Sequence, residues 1–294
     1  MAMPKGDKAL RVGVVKFASC DGCQLGFLDL GPALLDIGLR FSIVEFGEAS
    51  SRRAPDGPFD VLFVEGSVST DDQLRHLRQL RDRAGLLVTI GACATSGGIQ
   101  ALRAWAGNDG GIAGFIGAVY ATPEYVDTLA TATPVADHVQ VDAELRGCPI
   151  DTGQLVELLT ATAVGRRPQL PSEAVCVECK RAGRVCVMVS RGEPCLGPVI
   201  ATGCGALCPG MARGCYGCFG PREAANGASL ADWYRGALAL PEERVAARFA
   251  GFTSWAPELR EVIDRAGGPP GMRRPETGSA DASSSATDVD GGPR

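Results

Sequence analysis

Hydrophobic positions in the first 165 residues follow two different periods. β-branched and apolar residues alternate, or run together, in five short segments, which predict β-strands at residues 10–17, 41–46, 60–66, 86–93 and 135–145. Apolar residues recur every three or four positions between them, which predicts helices at residues 27–38, 70–83, 98–105, 122–130 and 152–165. Thr70 or Asp71 is suited to cap the second of these helices. The glycine-rich residues 107–118 are predicted to form a loop.

Strands that alternate with helices are typical of a parallel sheet covered on both faces. Residues 60–66 are almost continuously apolar, as expected of a strand that is buried on both sides. Five strands in this arrangement predict an α/β fold with a flavodoxin-like, doubly wound parallel sheet. The functional loops of such a sheet lie beyond the carboxyl ends of its strands.

The pattern changes after residue 165. Residues 166–171 hold arginine and proline and indicate a linker, and further helices are predicted at residues 229–239, 241–250 and 257–265. Pro241 is suited to the start of the second of these helices. The chain is therefore predicted to contain a flavodoxin-like domain, a small cysteine-rich domain, C-terminal helices and a disordered tail. Their predicted bounds are residues 1–165, 166–222, 223–266 and 267–294.

Composition excludes several classes of function. The 294 residues carry a formal net charge of −5, and no basic stretch is interleaved with aromatic residues, so nucleic acid is not an expected partner. The N-terminal residues lack the features of a signal peptide, and no apolar run reaches the roughly 18 residues of a membrane span. We therefore expect a cytoplasmic chain with no direct membrane insertion. Cytoplasmic thiols stay reduced, so twelve cysteines indicate metal ligands before disulfides.

Four of the cysteines are far apart in the sequence but follow predicted strands. Cys20 and Cys23 come after the first strand, Cys93 ends the fourth, and Cys148 follows the fifth. Because the carboxyl ends of parallel strands meet at one edge of the sheet, these four thiols are predicted to lie together. Glycines beside them allow backbone N–H groups to approach a cluster closely, and Pro149 directly follows a ligand, as in bacterial ferredoxins.

The other eight cysteines crowd into residues 176–218. A segment with so many thiols has little room for its own hydrophobic core, so metals or disulfides must hold it together. Structural zinc is the main alternative, since CxxC recurs at residues 176–179 and 215–218, but zinc ribbons do not place four more thiols between two such pairs. A 4Fe–4S cluster takes four thiolates, so twelve cysteines predict three clusters. Spacing alone leaves the division of the later eight cysteines open.

Six motifs carry a resemblance to a known family. They are SCDGCQLGFLDL (19–30), VEGSV (64–68), GACATSGGIQA (91–101), RGCPI (146–150), CLGPVIATGC (195–204) and GCYGC (214–218). Over residues 10–222 the chain resembles the small, electron-transferring subunit of nickel–iron hydrogenases. It is more distantly similar to the cluster-bearing 20 kDa subunit of complex I.

The resemblance implies a place for every cysteine in three 4Fe–4S clusters. The proximal cluster would be held by Cys20, Cys23, Cys93 and Cys148. The medial cluster would be held by Cys204, Cys208, Cys215 and Cys218, and the distal cluster by Cys176, Cys179, Cys186 and Cys195. The family's distal site commonly begins with histidine, and its medial site often has a proline in place of one cysteine. Cys176 and Cys208 depart from that pattern and resemble the cytoplasmic, bidirectional, NAD(P)-coupled, sulfhydrogenase-type enzymes.

By this resemblance the chain carries electrons between the nickel–iron large subunit, which activates H2, and a diaphorase part with flavin/NAD(P)-binding and iron–sulfur subunits. The alternative is an electron-transfer or H2-sensing subunit of a regulatory or non-hydrogenase redox complex. No catalytic residue is predicted in this chain itself. His76 is expected on the solvated surface, and His138 is expected to make a structural hydrogen bond. Glu65, at the end of the third strand, either orients the subunit interface or shapes the local loop.

Overall fold

A five-stranded parallel sheet forms the centre of the N-terminal region, in the order β2-β1-β3-β4-β5. The computed structural model describes residues 9–33, 35, 40–54, 57–105 and 111–266. The strands are β1 (Leu10–Lys16), β2 (Phe41–Phe46), β3 (Phe59–Glu65), β4 (Ala84–Ile90) and β5 (Ala143–Leu145). The predicted α/β fold with a doubly wound parallel sheet is confirmed. The predicted tail, 267–294, and most of residues 34–39 lie outside the described residues.

Strand β3 is the most deeply buried part of the sheet. Leu62, Phe63 and Val64 are completely inaccessible to solvent. Phe63 packs into one apolar core, while Leu62 and Val64 pack into a second core on the opposite face. Since successive side chains of a strand point to opposite faces, a continuous apolar run fills both cores, as the sequence predicted.

Helices cover the sheet and connect its strands. They are α1 (Gly22–Leu28), α2 (Asp71–Arg83), α3 (Gly91–Ser96), α4 (Gly98–Ala101), α5 (Gly111–Val119) and α6 (Thr152–Ala163). A 3-10 turn, Leu102–Trp105, continues α4. The hydroxyl of Thr70 caps α2 by accepting a hydrogen bond from the N–H of Gln73 at 3.2 Å. This confirms one of the two predicted caps.

Two of the local predictions between β4 and β5 are wrong. Within the predicted loop 107–118, the described residues belong to helix α5, because Ile112 and Ile116 lie one turn apart and are both buried, which outweighs the low helix propensity of glycine. The predicted helix 122–130 is only a 3-10 turn, Pro123–Tyr125.

The predicted fifth strand, 135–145, is also largely wrong. Residues Val135–Asp137 form a 3-10 turn, and only the last three residues pair with β4. The apolar positions of this segment are filled because Val135, Val139 and Val141 pack onto the core from irregular backbone. The N–H of Asp142 donates a hydrogen bond to the carbonyl oxygen of Leu87 at 2.9 Å, and its carboxylate accepts one from the N–H of Leu87 at 2.8 Å, so contact with β4 begins just before β5.

The cysteine-rich segment contains only short helices, which the sequence did not predict. They are α7 (Val175–Arg181), α8 (Val187–Arg191) and α9 (Leu207–Gly210). The predicted C-terminal helices are present as α10 (Gly227–Ala237), α11 (Glu242–Phe249) and α12 (Pro257–Arg265). Pro241 precedes α11 as its N-cap residue.

One apolar core joins the cysteine-rich segment to the C-terminal helices. Leu196 and Ile200 from the cysteine-rich segment are buried against Tyr234, Phe249 and Leu259 from the helices. The predicted division of the chain into domains stays a prediction. No helix among the described residues combines the length and hydropathy that a membrane span requires.

Candidate metal centres

The first four cysteines lie on elements that follow β1, β4 and β5. Cys20 lies in the loop after β1 and Cys23 in helix α1; Cys93 lies in helix α3 and Cys148 in the loop after β5. Cys93 was predicted to end a strand, but β4 stops at Ile90. Helix α3 begins at the next residue, so Cys93 lies in a helix and not at the end of a strand.

Two glycines allow the first four thiols to come together. A Cβ atom on Gly91, which has a φ of 84°, would collide with Sγ of Cys23. A Cβ atom on Gly98, which has a φ of 52°, would lie 2.7 Å from Sγ of Cys93. Positive φ values and this close approach both require glycine, so the backbone forms a cradle beside the thiols.

Burial and the like charges of neighbouring groups raise the pKa values of Cys23, Cys93 and Cys148. Burial is the largest cause that raises the pKa of Cys93, to about 11, and the like charge of Cys148 is the next. The pKa of Cys148 is raised by burial and then by Cys20. Burial also raises the pKa of Cys23, followed by the charge of Glu65, with smaller contributions from Cys148 and Cys93. Bound metal ions would reverse this preference, because a coordinating thiol is deprotonated.

Glu65 fixes the first cysteine loop from inside the protein. Its side chain is 2% exposed. The carboxylate accepts a hydrogen bond from the N–H of Cys23 at 3.1 Å and another from Nε2 of Gln24 at 3.0 Å. Burial raises the pKa of Glu65, whereas these two hydrogen bonds lower it. Of the two predicted roles, the structure therefore supports the shaping of the local loop.

A second set of thiols surrounds helix α7. It comprises Cys176, Cys179, Cys186 and Cys195. A Cβ atom on Gly197 would lie 3.3 Å from Sγ of Cys195 and 3.4 Å from Sγ of Cys176, so these two thiols converge from distant positions in the sequence. Burial raises the pKa of Cys176 to about 11, and the charges of Cys195, Cys179 and Cys186 follow in that order.

The remaining cysteines form a third set in the same way. Burial raises the pKa of Cys218 to about 12, with further contributions from the charges of Cys204 and Cys208. The pKa of Cys208 is raised by burial and then by Cys204. The pKa of Cys215 is raised by burial, and Cys218 and Cys204 are among its charged neighbours. The charge of Cys195 in the second set also contributes to the raised pKa values of Cys208 and Cys215, so the division of the later eight cysteines stays a prediction.

The three sets are in contact with one another. A hydrogen bond links the backbone of Cys148 in the first set to the thiol of Cys218 in the third. The N–H of Cys215 in the third set donates a hydrogen bond to Sγ of Cys195 in the second, at 3.1 Å. The third set therefore lies between the other two. In the described part of the chain, no three His, Cys, Asp or Glu side chains converge on the position of a single metal ion.

Sequence reasoning missed Arg248, which stands where the second and third sets meet. Its Nη2 donates hydrogen bonds to the carbonyl oxygens of Pro194, at 2.6 Å, and of Cys215, at 3.1 Å. Its guanidinium carbon lies 4.6 Å from the ring centroid of Tyr216. The sequence offered one indication that Arg248 faces the protein interior: it lies in α11 one turn after Val245, which is buried.

The two histidines lie away from these thiols in the roles that the sequence predicted. His76 is exposed on α2. Nε2 of His138 lies 2.6 Å from the hydroxyl of Thr133, a structural hydrogen bond within the same loop.

Comparison with known families and proteins adds independent information. Residues 20–162 match the family described as the 20 Kd subunit of NADH ubiquinone oxidoreductase. The matched range contains the first four cysteines and ends before the other eight.

Similar proteins extend over more of the chain. The delta subunit of sulfhydrogenase 2 from Pyrococcus furiosus is 35% identical over 251 residues, which cover 84% of this chain and 100% of that protein. The delta subunit of the NAD-reducing hydrogenase HoxS from Cupriavidus necator is 26% identical and covers 55% of this chain. A chain in the crystal structure of an NAD+-reducing [NiFe]-hydrogenase in the H2-reduced state superposes with a TM-score of 0.50 and 25% identity. That match covers 56% of this chain and 96% of the other.

Proposed function

The chain belongs to the family of nickel–iron hydrogenase small subunits and is a subunit of an oxidoreductase, and we propose that it carries electrons through three 4Fe–4S clusters. One end of this path would meet the large-subunit site that activates H2. The other end would meet the flavin/NAD(P)-binding and iron–sulfur subunits of a diaphorase. The observation that carries the proposal is the approach of cysteines that are distant in sequence, as Sγ of Cys176 and Sγ of Cys195 show beside Gly197.

The donor sets fit iron–sulfur clusters. Each set offers four cysteines, as a cubane requires, and the glycine cradle at Gly91 and Gly98 leaves room beside the first set. The proximal cluster is assigned to Cys20, Cys23, Cys93 and Cys148. The medial cluster is assigned to Cys204, Cys208, Cys215 and Cys218, and the distal cluster to Cys176, Cys179, Cys186 and Cys195. When bound, such clusters accept and release single electrons at potentials set by charge, hydrogen bonds to sulfur and exposure.

The protein contributes the arrangement of these sites. The hydrogen bond from Cys215 N–H to Sγ of Cys195 joins the medial and distal sets through one direct contact. The proximity of Cys148 to Cys218 joins the proximal and medial sets. These two contacts support the proposed order of proximal, medial and distal clusters.

The electron acceptor is proposed to be NAD(P). The C. necator relative and the similar crystal structure are both described as NAD-reducing. We accordingly place the complex in the cytoplasm, together with the large subunit and the diaphorase subunits.

The substitution Cys208→Pro tests the proposal in the purified complex. It removes one medial thiolate and is expected to leave a 3Fe–4S cluster, detected by EPR of the oxidised protein, with the other two clusters unchanged. H2-dependent reduction of NAD(P) should fall as the medial step changes. Leu207→Ala, at the exposed neighbouring position, is the control that keeps all four thiols. An unchanged EPR spectrum for Cys208→Pro would contradict the ligand assignment. Reduction of the wild-type clusters by H2 without reoxidation by NAD(P) would favour the sensing alternative.

A further inference from the structure

Arg248 of helix α11 reaches the boundary between the second and third cysteine sets. Its Nη2 atom donates hydrogen bonds to the carbonyl oxygen of Pro194, the residue before Cys195, at 2.6 Å, and to the carbonyl oxygen of Cys215 at 3.1 Å. The N–H of Cys215 in turn donates a hydrogen bond to Sγ of Cys195 at 3.1 Å. One guanidinium therefore holds both backbone segments that make the direct contact between these two sets.

The backbone around residue 214 leaves a place for this guanidinium. A Cβ atom on Gly214 would collide with the carbonyl oxygen of Pro194 and would lie 2.5 Å from Nη2 of Arg248. The guanidinium carbon lies 4.6 Å from the ring centroid of Tyr216, so the aromatic ring covers the charged group on one side. Glycine at position 214 is therefore required for the arginine to reach both carbonyl groups.

The charge of Arg248 is not balanced by a carboxylate in the part of the chain that the structure describes. No ion pair there includes this arginine. Glu193, which precedes Pro194, is half-buried and makes no ion pair with it, and Glu242 of the same helix is held by Arg235 at 2.6 Å. Nε of Arg248 is buried without a hydrogen-bond partner. Since a guanidinium stays protonated in proteins, a permanent positive charge lies between the two cysteine sets.

We propose that Arg248 is a positioning residue for electron transfer, whose charge raises the reduction potentials of the medial and distal clusters together. A cluster gains one negative charge when it is reduced, so a fixed positive charge nearby favours the reduced form. Because the guanidinium contacts the backbone of both sets, it shifts both potentials in the same direction and changes the difference between them less. The inference rests on the proposed function, because it requires clusters at both sites. The step that it tunes oxidises one cluster and reduces the other by one electron, with no proton or group transferred.

Redox titration of the purified complex, followed by EPR, tests the proposal. Arg248→Gln removes the charge but keeps an amide that can donate to one carbonyl group. It should make the midpoint potentials of the medial and distal clusters more negative. The equilibrium between reduced and oxidised cluster should change by about tenfold, which corresponds to about 59 mV for a one-electron centre. The proximal potential should not change. Arg248→Met, a second neutral variant, should give the same shift.

Two further variants separate the charge from a purely structural role. Arg248→Lys keeps the positive charge but loses the forked donors of the guanidinium, and should retain most of the wild-type potentials. Arg244→Gln removes an equal charge from an exposed position of the same helix, where solvent screens it, and should leave all three potentials unchanged.

Unchanged potentials in both neutral variants, or an equal shift in Arg248→Lys, would overturn the proposal. Loss of medial and distal iron in both neutral variants would also overturn it, since the arginine would then have a structural role alone. Iron analysis and EPR of the wild-type complex keep this inference apart from the proposed function. A wild-type complex without medial and distal clusters would contradict the proposed function, whereas intact clusters with unchanged potentials in the variants would contradict only the role of Arg248.

Discussion

The first cysteine set and the later two sets are built on different kinds of scaffold. The first set lies on loops and helices of a sheet whose central strand is fully buried, as Leu62 and Phe63 show. Of the later eight cysteines, Cys176 and Cys179 lie in α7 and Cys208 lies in α9, helices of seven and four residues, and the other five lie outside helices. Their apolar support comes mainly from helices that follow them in the chain, through residues such as Tyr234 and Phe249.

This difference indicates how strongly metal binding should be coupled to folding in the sheet region and in the cysteine-rich segment. Short helices are marginal without tertiary support, so thiols that also bind metal can supply part of the folding free energy. The sheet has its own apolar cores and does not depend on that contribution. The first set is therefore expected to be preformed, and the later two sets to require their clusters.

Metal removal should expose this contrast most strongly. Chelation of iron under reducing conditions is expected to abolish hydrogen-exchange protection across residues 175–218, because α7, α8 and α9 lose their cross-links. The backbone amides of β3 should keep their hydrogen-exchange protection, since the apolar cores on both faces of that strand are unchanged. Peptide-level exchange measured by mass spectrometry compares the two regions in one sample. Simultaneous loss of protection in β3 would show that the two scaffolds are not independent.

Substitution of Gly98 should damage the first set alone. In Gly98→Ala the new Cβ would lie 2.7 Å from Sγ of Cys93, at a φ of 52° that alanine rarely adopts. The iron content should fall by about one third, as expected for the loss of one cubane in three. Gly117→Ala in α5, where no atom lies within 4 Å of the new methyl group, is the control and should keep all of its iron. An unchanged iron content in Gly98→Ala would contradict the claim that the first cysteine set needs glycine at this position to hold its cluster.

Removal of Arg248 should affect the later two sets and spare the first. Arg248→Ala loses hydrogen bonds to the carbonyls of Pro194 and Cys215. Hydrogen bonds from charged groups are worth about 1.5–3 kcal/mol each, so chemical denaturation should detect a loss of that order. EPR should show altered medial and distal signals with an unchanged proximal signal. Arg244→Ala, on the exposed side of the same helix, should match the wild type in both measurements. An equal change in the EPR signal of the proximal cluster would contradict the placement of Arg248 beside the second and third cysteine sets.

The smallest expected effect concerns pH and the sheet region. Burial lowers the pKa of His138 from its ordinary value of 6.5. The folded state therefore favours the neutral ring, and the stability that this contributes is present above pH 6.5 and is lost as pH falls through the lower folded-state pKa. His138→Gln should flatten the dependence of the unfolding free energy on pH below about pH 6.5. Thermal unfolding of both proteins across that range provides the measurement. A steeper dependence in the variant would contradict the direction of the shift.

The sequence predicted best where one period dominated. Strand β3 and helix α12 were found because apolar side chains fill two cores or one helical face without interruption. Because the carboxyl ends of parallel strands share one edge, Cys20, Cys93 and Cys148 were grouped in one prediction, although β4 ends at Ile90 and not at Cys93.

The predictions that failed did so because the residues concerned are positioned by contacts that the local pattern of apolar residues does not reveal. The segment 135–145 alternates because Val139 and Val141 reach the core from irregular backbone, and alternation alone does not reveal that. Arg248 acts through carbonyls more than 30 residues away in sequence. Long-range contacts of this kind leave no periodic signal in the chain.

The iron and sulfide content of the purified chain, read together with Mössbauer spectroscopy, tests the central claim most directly. Three cubanes predict about twelve irons and about twelve sulfides per chain, all in 4Fe–4S form. A preparation dominated by zinc would contradict the assignment of the later eight cysteines. A fully reconstituted preparation with only about four irons per chain, enough for one cubane, would contradict it as well.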